Sequence, residues 1–218
     1  MTNETLKLPL FSLPLVACPT EVVPLHIFEP RYRELMSWCL QEQDAGRSGE
    51  FVIAFAQDGE PAPVATVVRL TRVIKQYEDG RLDVVTLGRR RCLIKRVLTE
   101  HAYPTVEVEP WEDEQADWSE PLATEAFKLH SRLIHMVSGQ APDTTLYAGR
   151  AVLSFYMAPT SGLRLQERQA LLKMTDENER LRYMIDHLRG LVERMAEVQA
   201  LLQMVQEGLE IQRLAGAK

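Results

Sequence analysis

Prolines at positions 9, 14, 19, 24 and 30 govern what the first thirty residues can become. Proline has no backbone N–H to donate and its ring collides with the preceding helical turn, so this spacing suits neither a helix interior nor the middle of a sheet. Leu8 to Val16 and Glu21 to Phe28 are nonetheless apolar, and they are expected as extended, edge-type segments. Pro30 fits the first position of a helix. Tyr32, Leu35, Met36 and Cys39 follow at i, i+3, i+4 and i+7, which predicts a short helix from Pro30 to about Gln43 with one buried stripe. Of the 12 prolines, nine fall in the first 110 residues. Beyond Trp111 the texture changes to longer stretches with helical spacing, so we divide the chain into a β domain, 1–113, and a helical domain, 114–218.

Within the β part, Phe51 to Ala56 is a six-residue apolar run between turn residues, the length of a buried strand. Asp58-Gly59 reads as a turn. Val64 to Val73 is rich in β-branched residues, and Asp79-Gly80 before Leu82 is a short-range hairpin signal. Gly88, inside the run Val84 to Leu98, marks a bulge or bend. Thr105 to Glu109 supplies a further strand.

In the helical part, Ser119 can cap a helix whose Leu122, Ala126, Leu129, Leu133 and Val137 recur at steps of three and four. Asp143 can start a second helix that Pro159 ends, and Leu163 to Met174 reads as a third. The last begins near Asp176, with Glu179 placed for a capping box. Leu181, Leu188, Met195, Leu202 and Leu209 then lie seven apart, with Met184, Leu191, Val198 and Val205 between them, which defines a seam. Ile185 and Val192 widen the early part of that seam, whereas Gln199 and Gln206 narrow the later part. The first half is expected to bury against its own chain. The half after Val198 is expected to meet something else, with a second copy of the chain as one candidate and the chain's own bundle as the other.

The composition excludes several classes. No apolar stretch approaches the roughly 20 residues that span a bilayer, and the first dozen residues lack a signal-peptide layout, so a cytoplasmic location is expected. Cys18, Cys39 and Cys92 are far apart with no C-x-x-C pair, and they are expected as buried reduced thiols. A net charge of −6 disfavours non-specific nucleic-acid binding. Charge is uneven, however. Arg69 to Arg96 carries nine bases against three acids, while Glu107 to Glu120 carries seven acids and no base, so the two stretches could offset each other in space.

The motifs of chemistry are missing. No G-x-x-x-x-G-K-[ST] string is present to cradle nucleotide phosphates, and Gly46 to Glu50 breaks the G-x-S-x-G pattern of a nucleophile elbow. His130 and His135 lie five apart, which turns their rings to different sides of a helix, and H-E-x-x-H is absent. His26, in an apolar run, is expected to bond to nearby backbone. Catalytic residues, metal ligands and cofactors are therefore all expected to be none.

Three segments carry a family likeness: Leu8-Pro9-Leu10-Phe11-Ser12-Leu13-Pro14-Leu15-Val16, Pro24-Leu25-His26-Ile27-Phe28-Glu29-Pro30-Arg31-Tyr32, and Asp83-Val84-Val85-Thr86-Leu87-Gly88-Arg89-Arg90-Arg91. In order and spacing they resemble the N-terminal domain of Lon proteases. Glu167 to Leu172, followed by Glu179-Arg180-Leu181, is similar to the helical part of the same family. The resemblance implies an α+β fold: a PUA-like β pseudo-barrel with one short helix, then a helical bundle ending in a long helix. It implies a stand-alone binding module for unfolded or tagged protein segments, without the ATPase or peptidase of full-length Lon, acting beside a protease or chaperone. Candidate peptide-binding residues are Phe11, Phe28, Tyr32 and Phe55, for which a plain core role is the competing reading. The alternative function is RNA binding through the basic stretch 69–96, with Arg89, Arg90, Arg91, Lys95 and Arg96 as its candidates; the run lacks an interleaved aromatic residue. A hydrolase is the third reading and has no motif behind it.

Overall fold

The structure, a computed structural model, describes residues 5–57, 59–99, 102–114, 118–140, 142, 147 and 152–215, with side chains through residue 207 and at Leu209. Asp58 and Asp143, where a turn and a helix start were expected, lie outside the described residues. The strands are β1 (Leu6–Leu13), β2 (Val22–Ile27), β3 (Glu50–Gln57), β4 (Glu60–Pro61), β5 (Val64–Gln76), β6 (Leu82–Leu98) and β7 (Thr105–Pro110), with α1 (Pro30–Asp44) between β2 and β3. Their order is β1-β7-β6-β5-β3-β4, β2 lies on β6, and β1 also pairs with β3. The sheet therefore curls until its ends meet, giving an irregular pseudo-barrel and not a regular one.

β2 is an edge strand, as its proline predicts, pairing with β6 alone among the described strands. β1 is not. Its residues 6–9 pair with β7 and residues 10–13 with β3, so it has neighbours on both sides. The reason lies at Pro9, the last β1 residue in register with β7, opposite Thr105. The strand changes partner directly after it, so no position on the β3 side calls for the missing N–H. The Asp79-Gly80 turn closes the β5–β6 hairpin, with Gly80 at φ 85° and the Tyr77 N–H donating to Arg81 O at 2.9 Å. At Gly88 the β5 register skips Arg89, and a Cβ there would lie 2.0 Å from Cys18 O. Only glycine lets the chain approach that closely.

Both faces of the central strands are covered, which is why Phe51 to Ala54 is a continuous apolar run and not an alternating one. Phe11, Phe51 and Ile53 meet α1 through Tyr32, Leu35, Met36 and Cys39, while Leu10, Val52 and Ala54 meet Ala65, Val67, Val106 and Val108. All three cysteines are free and buried, and burial pushes the thiols of Cys18, Cys39 and Cys92 up to about 11, 12 and 12.

The helical part comprises α2 (Glu120–Ser138), α3 (Leu153–Met157), a 3-10 turn at Ala158–Thr160, α4 (Leu165–Lys173) and α5 (Glu177–Ala215). Asp176 caps α5, its Oδ1 accepting the N–H groups of Asn178 at 2.6 Å and Glu179 at 3.3 Å. The buried face of α2 is Ala123, Ala126, His130 and Leu133, whereas Val137, expected on the stripe, is 69% exposed. The stripe turns because His130 can be buried as a bonded imidazole: Nδ1 meets Tyr147 Oη at 3.0 Å and Nε2 meets Thr160 Oγ1 at 2.9 Å. Leu181, Met184, Ile185, Leu188 and Val192 of α5 are buried in the same cluster, which also takes in Val16, Cys18 and Val64 from the β part. From Val198 to Leu209 the described apolar residues of α5 are exposed. No helix among the described residues is long and apolar enough to cross a membrane.

Charged groups tie the two parts together. Arg180 is fully buried and bonds Asp113 with both terminal nitrogens and Glu177 through Nε at 2.8 Å. Arg91, from β6, shares Asp113 and donates to the carbonyl oxygens of Leu172 and Met174. Both guanidiniums lie over the Phe155 ring. Arg168 of α4 pairs with Glu21, whose carboxylate also accepts the Cys18 N–H at 2.7 Å.

Candidate functional site

The alternation of β2 buries Val23, Leu25 and Ile27 and turns Val22, Pro24 and His26 outward. On an ordinary half-solvated strand the outward residues would be polar. Here Val22 is 63% exposed, Pro24 is exposed, and Phe28, just past the strand, is 60% exposed. The register extends this column across the sheet. Val22 stands opposite Leu87, and Pro24 opposite Val85, which in turn faces Arg72 of β5. His26 stands opposite Asp83, which faces Lys75.

The His26 Nδ1 bonds the Asp83 carboxylate at 2.6 Å, so its partner is a side chain and not the backbone expected from sequence. Tyr77 donates to the other Asp83 oxygen at 2.8 Å. Bonds from His26 and then Tyr77 hold the Asp83 carboxyl below its ordinary range. The His26 ring stacks on Phe28 with centroids 6.1 Å apart and meets Tyr77 edge-on, while Lys75 lies 4.3 Å over the Tyr77 ring. These contacts fix the lower end of an exposed, mainly aliphatic face.

The free edge of β2 is blunted. Glu21 O accepts the Gly88 N–H at 2.8 Å, so by the alternation of an antiparallel ladder the backbone groups of Val23, Leu25 and Ile27 point to β6 and those of Val22, Pro24 and His26 to the open side. Pro24 therefore removes a donor in the middle of that edge, and a pairing strand would find a gap there.

Val22 also belongs to a cleft of about 360 Å³ at the junction of the two parts. Thr20 and Glu21 form one wall, and Ile134, Tyr147, Tyr156 and Pro159 the other, with His130 and Thr160 at its base. Thr20 adopts φ 68°, uncommon for a β-branched residue, and its N–H donates to Gly88 O at 3.0 Å. Together with the Glu21–Arg168 pair this turn sets the start of β2 against the helices. His130 is held neutral: burial pushes its pKa down to about 4. The cleft offers apolar and aromatic walls of a size suited to a large side chain.

Of the four aromatic candidates, only Phe28 presents its ring to solvent. Phe11 and Tyr32 do come together, with centroids 4.2 Å apart, but each is 2% exposed and the Tyr32 hydroxyl is spent on Ser12 O at 3.0 Å. Phe55 is half-buried against the helical cluster. The basic candidates are dispersed. Arg90 pairs with Glu50 at 2.8 Å, Lys95 with Glu109 at 3.4 Å, and Arg91 is buried with Asp113, leaving Arg89 and Arg96 exposed. The basic and acidic stretches thus meet at β6 and its neighbours. Sequence reasoning missed Val22 and Pro24, and held Arg72 and Lys75 only as unnamed members of the basic stretch 69–96. The signal was present at Val22 to Phe28, where both period-two faces are apolar.

Residues 7–190 match the family described as the ATP-dependent protease La (LON) substrate-binding domain. The chain belongs to this family. It is 26% identical over 215 residues to a Lon protease of Flavobacterium johnsoniae, covering 88% of this chain and 26% of that protein. A Lon protease of Geobacter metallireducens is 27% identical over 206 residues, covering 85% of this chain and 24% of the relative. The chain therefore spans about a quarter of the length of the curated relatives it matches, within the substrate-binding region and not the ATPase or protease domains. Among solved structures, the Lon N-terminal domain protein from Xanthomonas campestris superposes with a TM-score of 0.62 at 25% identity, over 83% of this chain and 98% of that one. The N-terminal domain of the Mycobacterium avium complex Lon protease gives 0.60 at 19% identity, over 84% and 98%, a likeness of fold.

Proposed function

We propose that this Lon substrate-binding domain acts as a non-catalytic module that holds extended, apolar protein segments on the outward face of β2, with the junction cleft taking one large side chain. The observation that carries this reading is the pair Val22 and Pro24, exposed on a strand whose other face is core, followed beyond His26 by the exposed Phe28 and adjoining the cleft at Val22. Pro24 argues for contact through side chains and not strand addition. The matched family's description as substrate-binding supports the same role. A segment held this way would pass to an ATP-dependent protease or chaperone. A second contact surface is the exposed half of α5, for which another copy of the chain is the partner we infer.

Fluorescence anisotropy with a labelled, permanently unfolded polypeptide tests the reading, without nucleotide. Val22→Asp and Phe28→Asp should each weaken binding by about fivefold or more, the scale of losing an apolar anchor from an interface. Both positions are exposed, so stability should hold. Unchanged affinity in the double variant would refute the site.

A further inference from the structure

The outward face of the β2–β6–β5 sheet is not uniformly apolar: its β5 side carries charge of one sign. Register places Arg72 beside Val85 and Pro24, and Lys75 beside Asp83 and His26. Both are exposed, and neither joins an ion pair among the described residues. Arg69 continues the row opposite Leu87, half satisfied by Glu50 at 3.5 Å. An aliphatic column thus runs beside a parallel basic row one to two strands away, a separation of roughly 5 to 10 Å.

Resting on the proposed peptide-binding role, we infer that this face selects extended segments in which acidic residues accompany aliphatic or aromatic ones. An extended segment with three residues per turn points its side chains in three directions, so with the segment lying along β2 its apolar residues reach Val22, Pro24 and Phe28 while neighbouring residues lean sideways. Carboxylates leaning toward β5 then meet Arg72 and Lys75. A basic segment meets repulsion from the same two residues. Nucleic acid fits less well. The column between Val22 and Val85 is aliphatic and offers no plane for stacking bases, and the Tyr77 ring is already covered by Lys75 and Arg81.

The test uses the full chain and two labelled peptides of about ten residues, long enough to span Val22 to Phe28 in extended form. They share one Leu/Phe pattern and differ only in Glu or Lys at the intervening positions. The Glu peptide should bind about threefold to tenfold more tightly at low salt, as expected for two or three exposed ion pairs, and the difference should shrink as salt rises. Arg72→Glu with Lys75→Glu should abolish or reverse the preference, whereas Phe28→Ser, which removes the anchor without adding charge, should weaken both peptides alike. Equal affinities for the two peptides overturn the selectivity and leave the binding role standing. Failure of both peptides to bind overturns the role itself, and the selectivity with it. A polyuridine oligonucleotide that displaces the Glu peptide at equal or lower concentration overturns the choice of a protein ligand.

Discussion

His130 is 2% exposed, bonded through both ring nitrogens and carried down to a pKa of about 4, and these facts fix how acid should act on the fold. In the unfolded chain the same imidazole titrates near 6.5. Between the two values the unfolded state binds the extra proton, so the contribution of His130 is complete above pH 6.5 and is lost as the pH falls toward 4. That is worth about 3 kcal/mol over the interval. We expect the thermal midpoint to fall across this window, and His130→Gln, which cannot titrate, to flatten the fall. An equally steep fall in the variant would assign the acid sensitivity to other groups. Single residues were also the least legible part of the sequence. Arg91 and Arg180 look like any helix or strand arginine, and what buries them is Asp113 and Phe155, set by the fold and not by sequence neighbours. Gly88 was legible as a bend, but the close approach of Cys18 that demands it was not.

Elements whose pattern is local read true. The α1 stripe of Tyr32, Leu35, Met36 and Cys39 and the Asp79-Gly80 hairpin needed only neighbouring residues to be seen. β1 and α2 were misread where the deciding partner is distant: a change of neighbour after Pro9, and Tyr147 with Thr160 around His130. α5 shows a third case. Its 39 residues would extend about 58 Å, and from Val198 to Leu209 the apolar seam lies exposed among the described residues. Val198, Leu202, Val205 and Leu209 are 55–60% exposed, and the flanking Gln199, Leu201 and Gln206 carry no charge to oppose self-pairing. Ending the chain after Glu197 should therefore leave the thermal midpoint nearly unchanged. In sedimentation, the intact chain should show concentration-dependent dimers that the shortened chain lacks. A monomer at every concentration would remove the second copy as partner, and a large drop in midpoint on shortening would mean that the distal half packs at home.

For the whole molecule, the division at residue 113 follows sequence texture, while the interior does not stop there. Val16, Cys18 and Val64 lie in one cluster with Leu171, Leu181 and Leu188, and Asp113 is held by Arg91 from the β part and Arg180 from α5. A boundary crossed by a shared core and by paired buried charges should transmit unfolding from one side to the other. The charges make the sharper probe, because removing one partner strands the others in a low dielectric at a cost of about 3 to 5 kcal/mol, far more than the intact pair contributes. Arg180→Met keeps volume and apolar contact with Phe155 while leaving Glu177 without its guanidinium and Asp113 with Arg91 alone. If the two parts are one cooperative unit, helical signal by far-ultraviolet circular dichroism and the environment of Trp38, on α1 against the β core, should move together in the wild type and shift together in the variant. A variant in which helical signal is lost early while Trp38 keeps the wild-type midpoint would show two independently stable domains, and the shared interior would then be contact without coupling.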